Sequence, residues 1–382
     1  MREVVLLGVG VHKFGRFPGK EYYEMGRDAV NDALKDAGVT WPDIQAFYCG
    51  HTYAGIGAGG NIVTQLGMTG IPIYNIEMGC AAGSGIFGLA YQAIATGQFD
   101  IACVVGVDKL KKGLLPAENF PHWMRVTGLG IYPVSMALQA HRRMKEYGLT
   151  REQLAKVAVK SHRNAALCPN AHYQEYGNMT IEDVYKAKMV CDPLTIVQIA
   201  PTSEGAAAAI LCSKDALKRF KNRNREPITI ASYAVGSGEY VHPYSVLRHA
   251  PMQNKGGVTV CKRAYELAGC GPEDIGIAQV EDAYTIIEME CYEVIGICKE
   301  GEMGKLVDEG AVELTGRIPV GTDGGKMSRG NSIGACALAS LAENYWQMKG
   351  QAGKRQIPKR PNLSMLFATG VPWMGTAVIL KR

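Results

Sequence analysis

One sequence pattern occurs twice in the chain, and this repeat is the main indication of the fold. Residues 76–94 read IEMGCAAGSGIFGLAYQAI, and residues 326–345 read KMSRGNSIGACALASLAENY. In each copy a polar, glycine-rich turn leads into a helix built from small and apolar residues. An offset of 251, the difference between positions 330 and 79, places Gly79-Cys80 on Gly330-Asn331 and Gly83 on Gly334. We infer that the two stretches are equivalent parts of a duplicated unit.

The sequence around the two stretches repeats as well. An offset of 231, the difference between positions 268 and 37, places Ala37-Gly38 on Ala268-Gly269 and Gly50-His51 on Glu281-Asp282. Each of these pairs follows a predicted amphipathic helix or the strand after it. The two offsets differ because the second half carries a longer loop, so the sequence predicts two related halves.

The class of fold follows from the alternation of apolar runs with helical patterns, which is typical of α/β proteins. Strands are predicted at residues 3–10, 44–50, 99–108, 200–213 and 228–236, and a helix that ends on a glycine at residues 22–38. Residues 111–195 break this alternation, because they are helical, polar and basic. We therefore predict a first half at 1–215 with an inserted cap domain at 111–195, and a second half at 226–382.

The composition excludes several classes of function. The 382 residues are 47% hydrophobic and 20% charged, and no apolar run approaches the ~20 residues of a membrane span. The net charge of +5 is mild and its basic residues are dispersed, which argues against nucleic acid binding. The 11 cysteines form no CxxC pair, so no metal site is expected in this chain. Scattered free cysteines favour a reducing, cytoplasmic location.

Cys80 is the strongest candidate for a chemical role. It stands at the turn into a helix of Ala, Gly and Ser, where backbone N–H groups approach the sulfur. A thiol at a helix N-terminus commonly has a lowered pKa, and the same N–H groups can hold an oxyanion. The alternative is a small buried core residue, since free cysteines are often buried. The surrounding Gly-Cys-Ala-Ala-Gly-Ser-Gly sequence favours a nucleophile.

Five motifs along nearly the whole chain resemble the thiolase superfamily, especially its sterol-carrier-protein-type, or lipid-transfer, members. They are the nucleophile motif at 79–85, Ser-Glu-Gly-Ala-Ala-Ala at 203–208, Glu-Asp-Ala-Tyr at 281–284, the glycine-rich turn at 324–334 and the glycine-bearing C-terminal strand at 366–380. The resemblance implies a five-layered αβαβα fold in which the two halves face one active centre.

The chain departs from that family at two catalytic positions. Where relatives carry Gly-His-Pro, it has Gly330-Asn331-Ser332, and neither Ala283 nor residues 367–370 supply the second catalytic cysteine. Asn331 can donate a hydrogen bond to a thioester oxygen, but it cannot transfer a proton. Another group must therefore act as the base if condensation chemistry is retained.

Two candidate bases follow from the repeat. His51 ends a first-half strand and Glu281 ends its counterpart, so both are expected to face the centre where Cys80 and Asn331 meet. A neutral histidine is an ordinary activator of cysteine, and a desolvated glutamate has a pKa suited to a general base. The alternatives are a hydrogen-bonded structural histidine and a salt-bridged glutamate. The resemblance further implies an oxyanion hole formed by backbone N–H groups near Gly370.

Coenzyme A is the co-substrate that the resemblance implies. Thr202 and Ser203, before Gly205, resemble the segment that contacts pantetheine in thiolases, although a tight start of a strand explains them equally well. Basic residues of the insert are candidates for the phosphates, with a solvated helix face as the alternative: Arg142, Arg143, Lys160 and Arg163.

Three functional hypotheses follow. The first is a coenzyme A acyltransferase that cleaves a 3-oxoacyl-CoA, or forms it by Claisen condensation, through an acylated Cys80, on a bulky, branched or aromatic substrate. The second is a retro-aldolase on an acyl-CoA side chain, favoured by the missing histidine and opposed by Cys80. The third is a non-catalytic subunit. The resemblance also implies a homodimer or dimer of dimers, and a small partner protein carrying an OB fold and a zinc ribbon.

Overall fold

The computed structural model of the protein describes residues 1–115, 120–220, 226–239, 255–370 and 374–382. The first half begins with β1 (Val4–Val11), α1 (Tyr22–Ala37), β2 (Phe47–Gly50), α2 (Ala58–Leu66), β3 (Ile73–Ile76), α3 (Ala82–Ala95) and β4 (Ile101–Lys109). The insert contributes α4 (His122–Val126), α5 (Tyr132–Tyr147), α6 (Arg151–Ala166), α7 (Ile181–Lys186) and the small hairpin of β5 (Met189–Cys191) and β6 (Leu194–Thr195). Strand β7 (Glu204–Ser213) then returns to the large sheet.

The second half follows the same plan. It comprises β8 (Ile228–Ser237), α8 (Lys255–Ala268), β9 (Ile277–Gln279), α9 (Thr285–Val294), α10 (Met303–Asp308), α11 (Gly325–Ser328), α12 (Ile333–Lys349), β10 (Leu363–Gly370) and β11 (Met374–Lys381). Both predicted offsets hold at the level of helices, since α1 ends at Ala37 and α8 at Ala268, and α3 begins at Ala82 and α12 at Ile333.

The strand pairings confirm the duplication. Across the described residues the large sheet runs β3-β2-β4-β7-β1-β8-β11-β10-β9. In the first half β2 is parallel to β4, whereas β4 and β1 are antiparallel to β7. In the second half β9 is parallel to β10, whereas β10 and β8 are antiparallel to β11. The halves meet where β1 pairs with β8 over two residue pairs.

Three apolar clusters fill the spaces between five layers, because one of them covers both faces of the central layer. One joins α1 and α2 to the outer face of the first-half strands, and a second joins α3 and α12 to the inner faces of both halves. The third joins α8 and α9 to the second-half strands and to the insert. The predicted αβαβα fold is therefore confirmed, with α3 and α12 packed against each other in the central layer.

The first half shows how the sequence sets this packing. In α1, Met25, Ala29 and Ala33 recur at every fourth position, so their buried side chains share one face. The helix ends one residue before Gly38, which adopts the left-handed conformation with φ 70°. Gly8 of β1 lies so close to the backbone of α1 that a Cβ atom there would overlap Ala37. Small residues on both elements thus allow the helix to lie directly on the strand.

Two predicted strands start later than the sequence indicated. The predicted strand at 44–50 begins at Phe47, because a 3-10 turn at Trp41–Asp43 precedes it. The predicted strand at 200–213 begins at Glu204. Residues 201–203 instead bond to Asn331, through Asn331 N to Pro201 O at 3.3 Å and Ser203 N to Asn331 O at 2.8 Å. That cross-connection ties the two halves together beside the site described below.

The insert is helical, as predicted, and is joined to the second half by buried ion pairs. Lys160 of α6 pairs with Glu288 of α9, and Arg143 of α5 pairs with Glu293 at 2.9 Å. Both predictions for these two cations, phosphate contact or a solvated face, are wrong, because their side chains are buried against acidic partners. The boundaries proposed for the insert and the two halves stay predictions. None of the helices in the described ranges is long and apolar enough to span a membrane.

Candidate active site

Cys80 lies in a short 3-10 turn, Gly79–Ala81, that leads directly into α3. Gly79 adopts a positive φ of 54° and donates its N–H to the side chain of Glu77 at 2.6 Å. The end of β10 packs closely against this turn. A Cβ atom on Gly370 would overlap the carbonyl oxygen of Met78. Glycine is thus required at 370 by close backbone approach.

Asn331 lies opposite, just before α12, and is held from two sides. Its backbone N–H donates to Ser203 Oγ at 3.2 Å. Its side-chain oxygen accepts a hydrogen bond from the Cys336 thiol, with Sγ and Oδ1 3.3 Å apart. Because Oδ1 is engaged on the helix side, the amide N–H₂ is left to face the cavity that Asn331 lines.

Cys80 and Asn331 share the wall of one cavity of about 240 Å³. Most of the lining is apolar or aromatic, and no charged side chain of the described residues lines it. The insert contributes one wall and the two halves contribute the other. The lining comprises Thr52, Tyr53, Gly79, Cys80, Gly113, Leu114, Leu115, Gly130, Ile131, Tyr132, Pro133, Ile199, Ala200, Thr202, Ala283, Tyr284, Asn331 and Ile333.

A buried ion pair lies within electrostatic reach of the Cys80 sulfur. Lys326 of α11 donates to the carboxylate of Glu281, which also accepts the N–H of Thr369 at 3.4 Å. Burial raises the pKa of the Cys80 thiol to about 12, and the positive charge of Lys326 opposes that rise. The expectation of a lowered Cys80 pKa is therefore wrong for this arrangement. Cys80 touches the cavity, but the protein around it penalises the thiolate more than the short turn stabilises it.

Asp108 connects two segments that line the cavity, the loop after β2 and the start of α12. It is the last residue but one of β4, is buried, and accepts N–H groups from Thr52 at 3.1 and 3.2 Å, Tyr53 at 2.7 Å and Gly334 at 2.8 Å. Burial raises its pKa to about 6, partly offset by these backbone donors. The carboxylate thus fixes the loop after β2 to the first turn of α12.

Two family models together match nearly the whole chain. Residues 5–215 match the thiolase N-terminal domain, and residues 238–382 match the thiolase C-terminal domain-like family. The chain belongs to the thiolase family. It is a thiolase-type acyltransferase, in a family that uses coenzyme A as substrate.

Curated relatives support that assignment over almost their full length. The chain is 33% identical to an acetyl-CoA acetyltransferase of Methanothermobacter thermautotrophicus, covering 94% of each sequence. It is also 33% identical to the benzoylsuccinyl-CoA thiolase subunit BbsB of Thauera aromatica, covering 97% of this chain and 95% of that one. Among solved structures, an Ltp2-ChsH2(DUF35) aldolase has a TM-score of 0.85 at 24% identity, covering 99% of this chain and 97% of that chain, and so shows the same fold.

The structure brings only some of the predicted site residues to the cavity of this thiolase. Cys80, Asn331 and Thr202 line it, whereas Glu281 does not and is paired with Lys326, which is the salt-bridged alternative to its predicted role as a base. His51 does not line it, although its neighbours Thr52 and Tyr53 do. The Nδ1 atom of His51 is buried without a hydrogen-bond partner among the described residues, and burial lowers its pKa.

The residues predicted to bind coenzyme A separate in the same way. Thr202 reaches the cavity, and its hydroxyl accepts from Arg16 at 2.6 Å. Ser203 lies behind Asn331, where its hydroxyl also bonds to Nδ1 of His172 at 2.9 Å. Gly205 is inside β7, with its carbonyl accepting from Ser332 at 2.9 Å. Arg163 lies on the surface, does not line the cavity and pairs with Glu313, so its role as a coenzyme A ligand stays a prediction.

Three residues of the site were missed by sequence reasoning. Lys326 stands in the glycine-rich turn before Asn331, and a lysine inside such a small-residue turn was the available signal. Asp108 ends a predicted buried strand, where an acidic residue needs a partner. Thr52 follows His51, and its buried hydroxyl has no hydrogen-bond partner among the described residues. Within the described residues there is also no cluster of His, Cys, Asp and Glu that could hold a metal ion.

We expect Asp108→Asn to weaken the connection between β2, β4 and α12. An asparagine has one acceptor oxygen, and its amide N–H₂ would face at least one of the backbone N–H groups that Asp108 now accepts. The unsatisfied donor should lower the free energy of unfolding by about 1–2 kcal/mol. Urea denaturation at pH 7.5 measures this, with Asp215→Asn on the exposed surface as the matched control. A variant as stable as the wild type would show that these bonds contribute little.

Proposed function

We propose that the protein cleaves a 3-oxoacyl-CoA with coenzyme A, or runs the reverse Claisen condensation, through an acyl group on Cys80. The observation that carries this proposal is the placement of Cys80 and Asn331, one from each half, on the wall of one apolar cavity. Cys80 would attack the 3-oxo carbon, so that an S–C bond forms and the C2–C3 bond then breaks. The acyl group stays on sulfur and is later transferred to the thiol of coenzyme A.

The leaving fragment must be stabilised as an enolate and then protonated. The Asn331 amide would donate a hydrogen bond to its thioester oxygen, where negative charge develops. Glu281 would take the Cys80 proton and return it to the carbanion, since it is the carboxylate of the buried pair beside Cys80. His51 is the second candidate for this transfer. Neither Glu281 nor His51 lines the described cavity, so either group would pass the proton to the carbanion through a bound water.

The acyl group is proposed to be branched or aromatic and uncharged at the end that enters the cavity. Tyr53, Tyr132 and Tyr284 offer aromatic surfaces, and the described lining has no cation to pair with a carboxylate. The volume of about 240 Å³ lies below the ~300–1,000 Å³ of common ligand pockets, which disfavours long chains. Thr52 lines the cavity, and its hydroxyl has no hydrogen-bond partner among the described residues, so it is the group proposed to bind a polar atom of the acyl chain.

Coenzyme A is proposed to reach Cys80 past Thr202. This residue lines the cavity next to Ala200 and Ile199, so the pantetheine arm would run along that segment. Arg163 is proposed to meet the phosphates of coenzyme A at the surface, where its side chain is about half exposed and would exchange Glu313 for a phosphate.

Assembly is the next part of the proposal. A homodimer, or a dimer of dimers, is proposed through the edge of the sheet at β3, where Tyr74 is exposed. A small OB-fold and zinc-ribbon partner is also proposed, since one relative is the benzoylsuccinyl-CoA thiolase subunit BbsB and one solved neighbour is the Ltp2-ChsH2(DUF35) aldolase. We propose a cytoplasmic location on the grounds of cysteine usage.

The test is intact mass of the purified protein after incubation with a panel of acyl-CoAs, alone and with the candidate partner. Adducts with the mass of the acyl group should form on the wild type and disappear on adding free coenzyme A. They should be absent from Cys80→Ser and present on Cys261→Ser, whose buried thiol lies in α8. The acyl groups that load would identify the substrate class.

Two other outcomes would favour the other hypotheses. Cleavage of a 3-hydroxyacyl-CoA without any adduct would support a retro-aldolase, which the replacement of the usual histidine by Asn331 also favours. Neither adduct nor cleavage, even with the partner present, would support a non-catalytic subunit.

A further inference from the structure

Lys326 is a buried cation that both neighbouring acids hold in place. The residue is 2% exposed to solvent, and its side-chain ammonium donates a hydrogen bond to the Glu281 carboxylate. Its backbone N–H donates to both oxygens of Asp282, at 3.0 and 3.1 Å. A lysine is almost never buried without such a partner, because desolvating the ammonium is costly. Its position is therefore determined by two successive residues of one segment.

The same segment leads to the nucleophile. The carboxylate of Glu281 also accepts the N–H of Thr369, at the end of β10. The next residue, Gly370, lies so close to the turn that carries Cys80 that an added Cβ atom would be 1.9 Å from the Met78 carbonyl oxygen and 3.2 Å from Ala81 Cβ. The ion pair is thus connected to the turn that carries Cys80 through the end of β10, and neither of its residues lines the cavity. A charge in that place acts on the sulfur without being screened by solvent.

We propose that the Lys326 ammonium stabilises the Cys80 thiolate, supplying the positive charge that Asn331 does not provide; this role rests on the proposed acyl transfer at Cys80. The Cys80 S–H bond breaks and the proton goes to the Glu281 carboxylate, whereas Lys326 stays protonated. The thiolate and the ammonium then form the charged pair, with no change in the total charge of the three groups. Lys326 is a positioning residue in this scheme, since it touches neither the substrate nor the cavity.

The electrostatic surroundings of Cys80 agree with this scheme. After burial, Lys326 has the largest influence on the Cys80 pKa, and it lowers that pKa. The opposing groups are Glu281 after β9, Cys336 of α12 and Asp108 of β4, all of which raise it. Reciprocally, Cys80 and Glu281 raise the pKa of Lys326, so the amine stays charged at neutral pH. Lys326 therefore lowers the pKa of the Cys80 thiol against the increase that burial causes.

The test is the rate at which iodoacetamide alkylates Cys80 between pH 6.5 and 10, followed on the Cys80 peptide by mass spectrometry. Only the thiolate reacts, so the rate below the pKa reports how readily the thiolate forms. We expect Lys326→Met to slow alkylation at pH 8 by about tenfold or more, equivalent to a rise of one pKa unit. Lys326→Arg should restore the wild-type rate, because it keeps the charge.

Lys160→Met is the matched control, since Lys160 is an equally buried lysine paired with Glu288 on the insert side. It should leave Cys80 alkylation unchanged. If Lys326→Met fails to fold, Lys326→Gln carries the test, because its amide still donates to Glu281 but has no charge. Wild-type alkylation in the uncharged variants would overturn the role of Lys326. Because no acyl-CoA is used, this result is independent of whether Cys80 accepts an acyl group.

Discussion

Replacing Cys80 with alanine is expected to lower kcat for thiolytic cleavage by about a thousandfold or more, the scale seen when a covalent nucleophile is removed. The reason is that the S–C bond to the acyl group cannot form, and the C–C bond of the substrate then has no acceptor. The cavity wall loses only one sulfur atom, so binding of the acyl-CoA should change little. The effect therefore falls on kcat rather than on KM.

The measurement is steady-state cleavage of the 3-oxoacyl-CoA identified by adduct formation, with products separated by chromatography. Cys261→Ala removes a thiol that is buried in α8, away from the cavity, and should keep wild-type turnover. Retained cleavage in Cys80→Ala, together with loss in Glu281→Gln, would contradict the acyl-enzyme route and favour an aldol cleavage that needs a base but no nucleophile.

The duplicated architecture could be predicted because it depends on local pattern. Small residues follow a glycine-rich turn in both α3 and α12, and this composition is what allows two helices to lie side by side in the central layer. The late start of β2 follows from the local 3-10 turn at Trp41–Asp43, whereas the late start of β7 could not be predicted because it depends on a contact between the two halves. For β7 that contact is the bonding of residues 201–203 to Asn331 across the two halves.

The residues of the candidate site that belong to a local motif could be predicted from sequence. Those whose surroundings depend on tertiary contacts could not. The turn around Cys80 marks it as the candidate nucleophile from sequence, but the pKa of its thiol depends on how much protein surrounds it. Arg163 and Lys160 look alike on one basic helix, yet the fold gives them Glu313 and Glu288 respectively. The proximity of Lys326 to Cys80 could not be predicted from sequence, because it depends on how α11 and the ends of β9 and β10 pack together.

Gly334→Ala is expected to lower the free energy of unfolding by about 3 kcal/mol or more, because the added methyl group has no space. A Cβ atom there would lie 2.6 Å from the Gly50 carbonyl oxygen and 2.8 Å from both His51 Cα and the Val107 carbonyl oxygen. All three obstacles are backbone atoms of β2, its following residue and β4, so no side chain can rotate away. The residue is already helical, and the cost is therefore steric rather than conformational.

Gly60→Ala is the matched control, since Gly60 is also helical, in α2, and has no atom within 4 Å of an added Cβ. It should stabilise the protein by about 0.5 kcal/mol through the unfolded chain. Urea denaturation compares the two, and cleavage assays of soluble Gly334→Ala show the functional effect. Moving the start of α12 outward would carry Asn331 away from Cys80 and break the bond from Gly334 to Asp108. Wild-type stability and turnover in Gly334→Ala would mean that the two halves tolerate separation at this point, and that the distance between Cys80 and Asn331 is not set by their close contact.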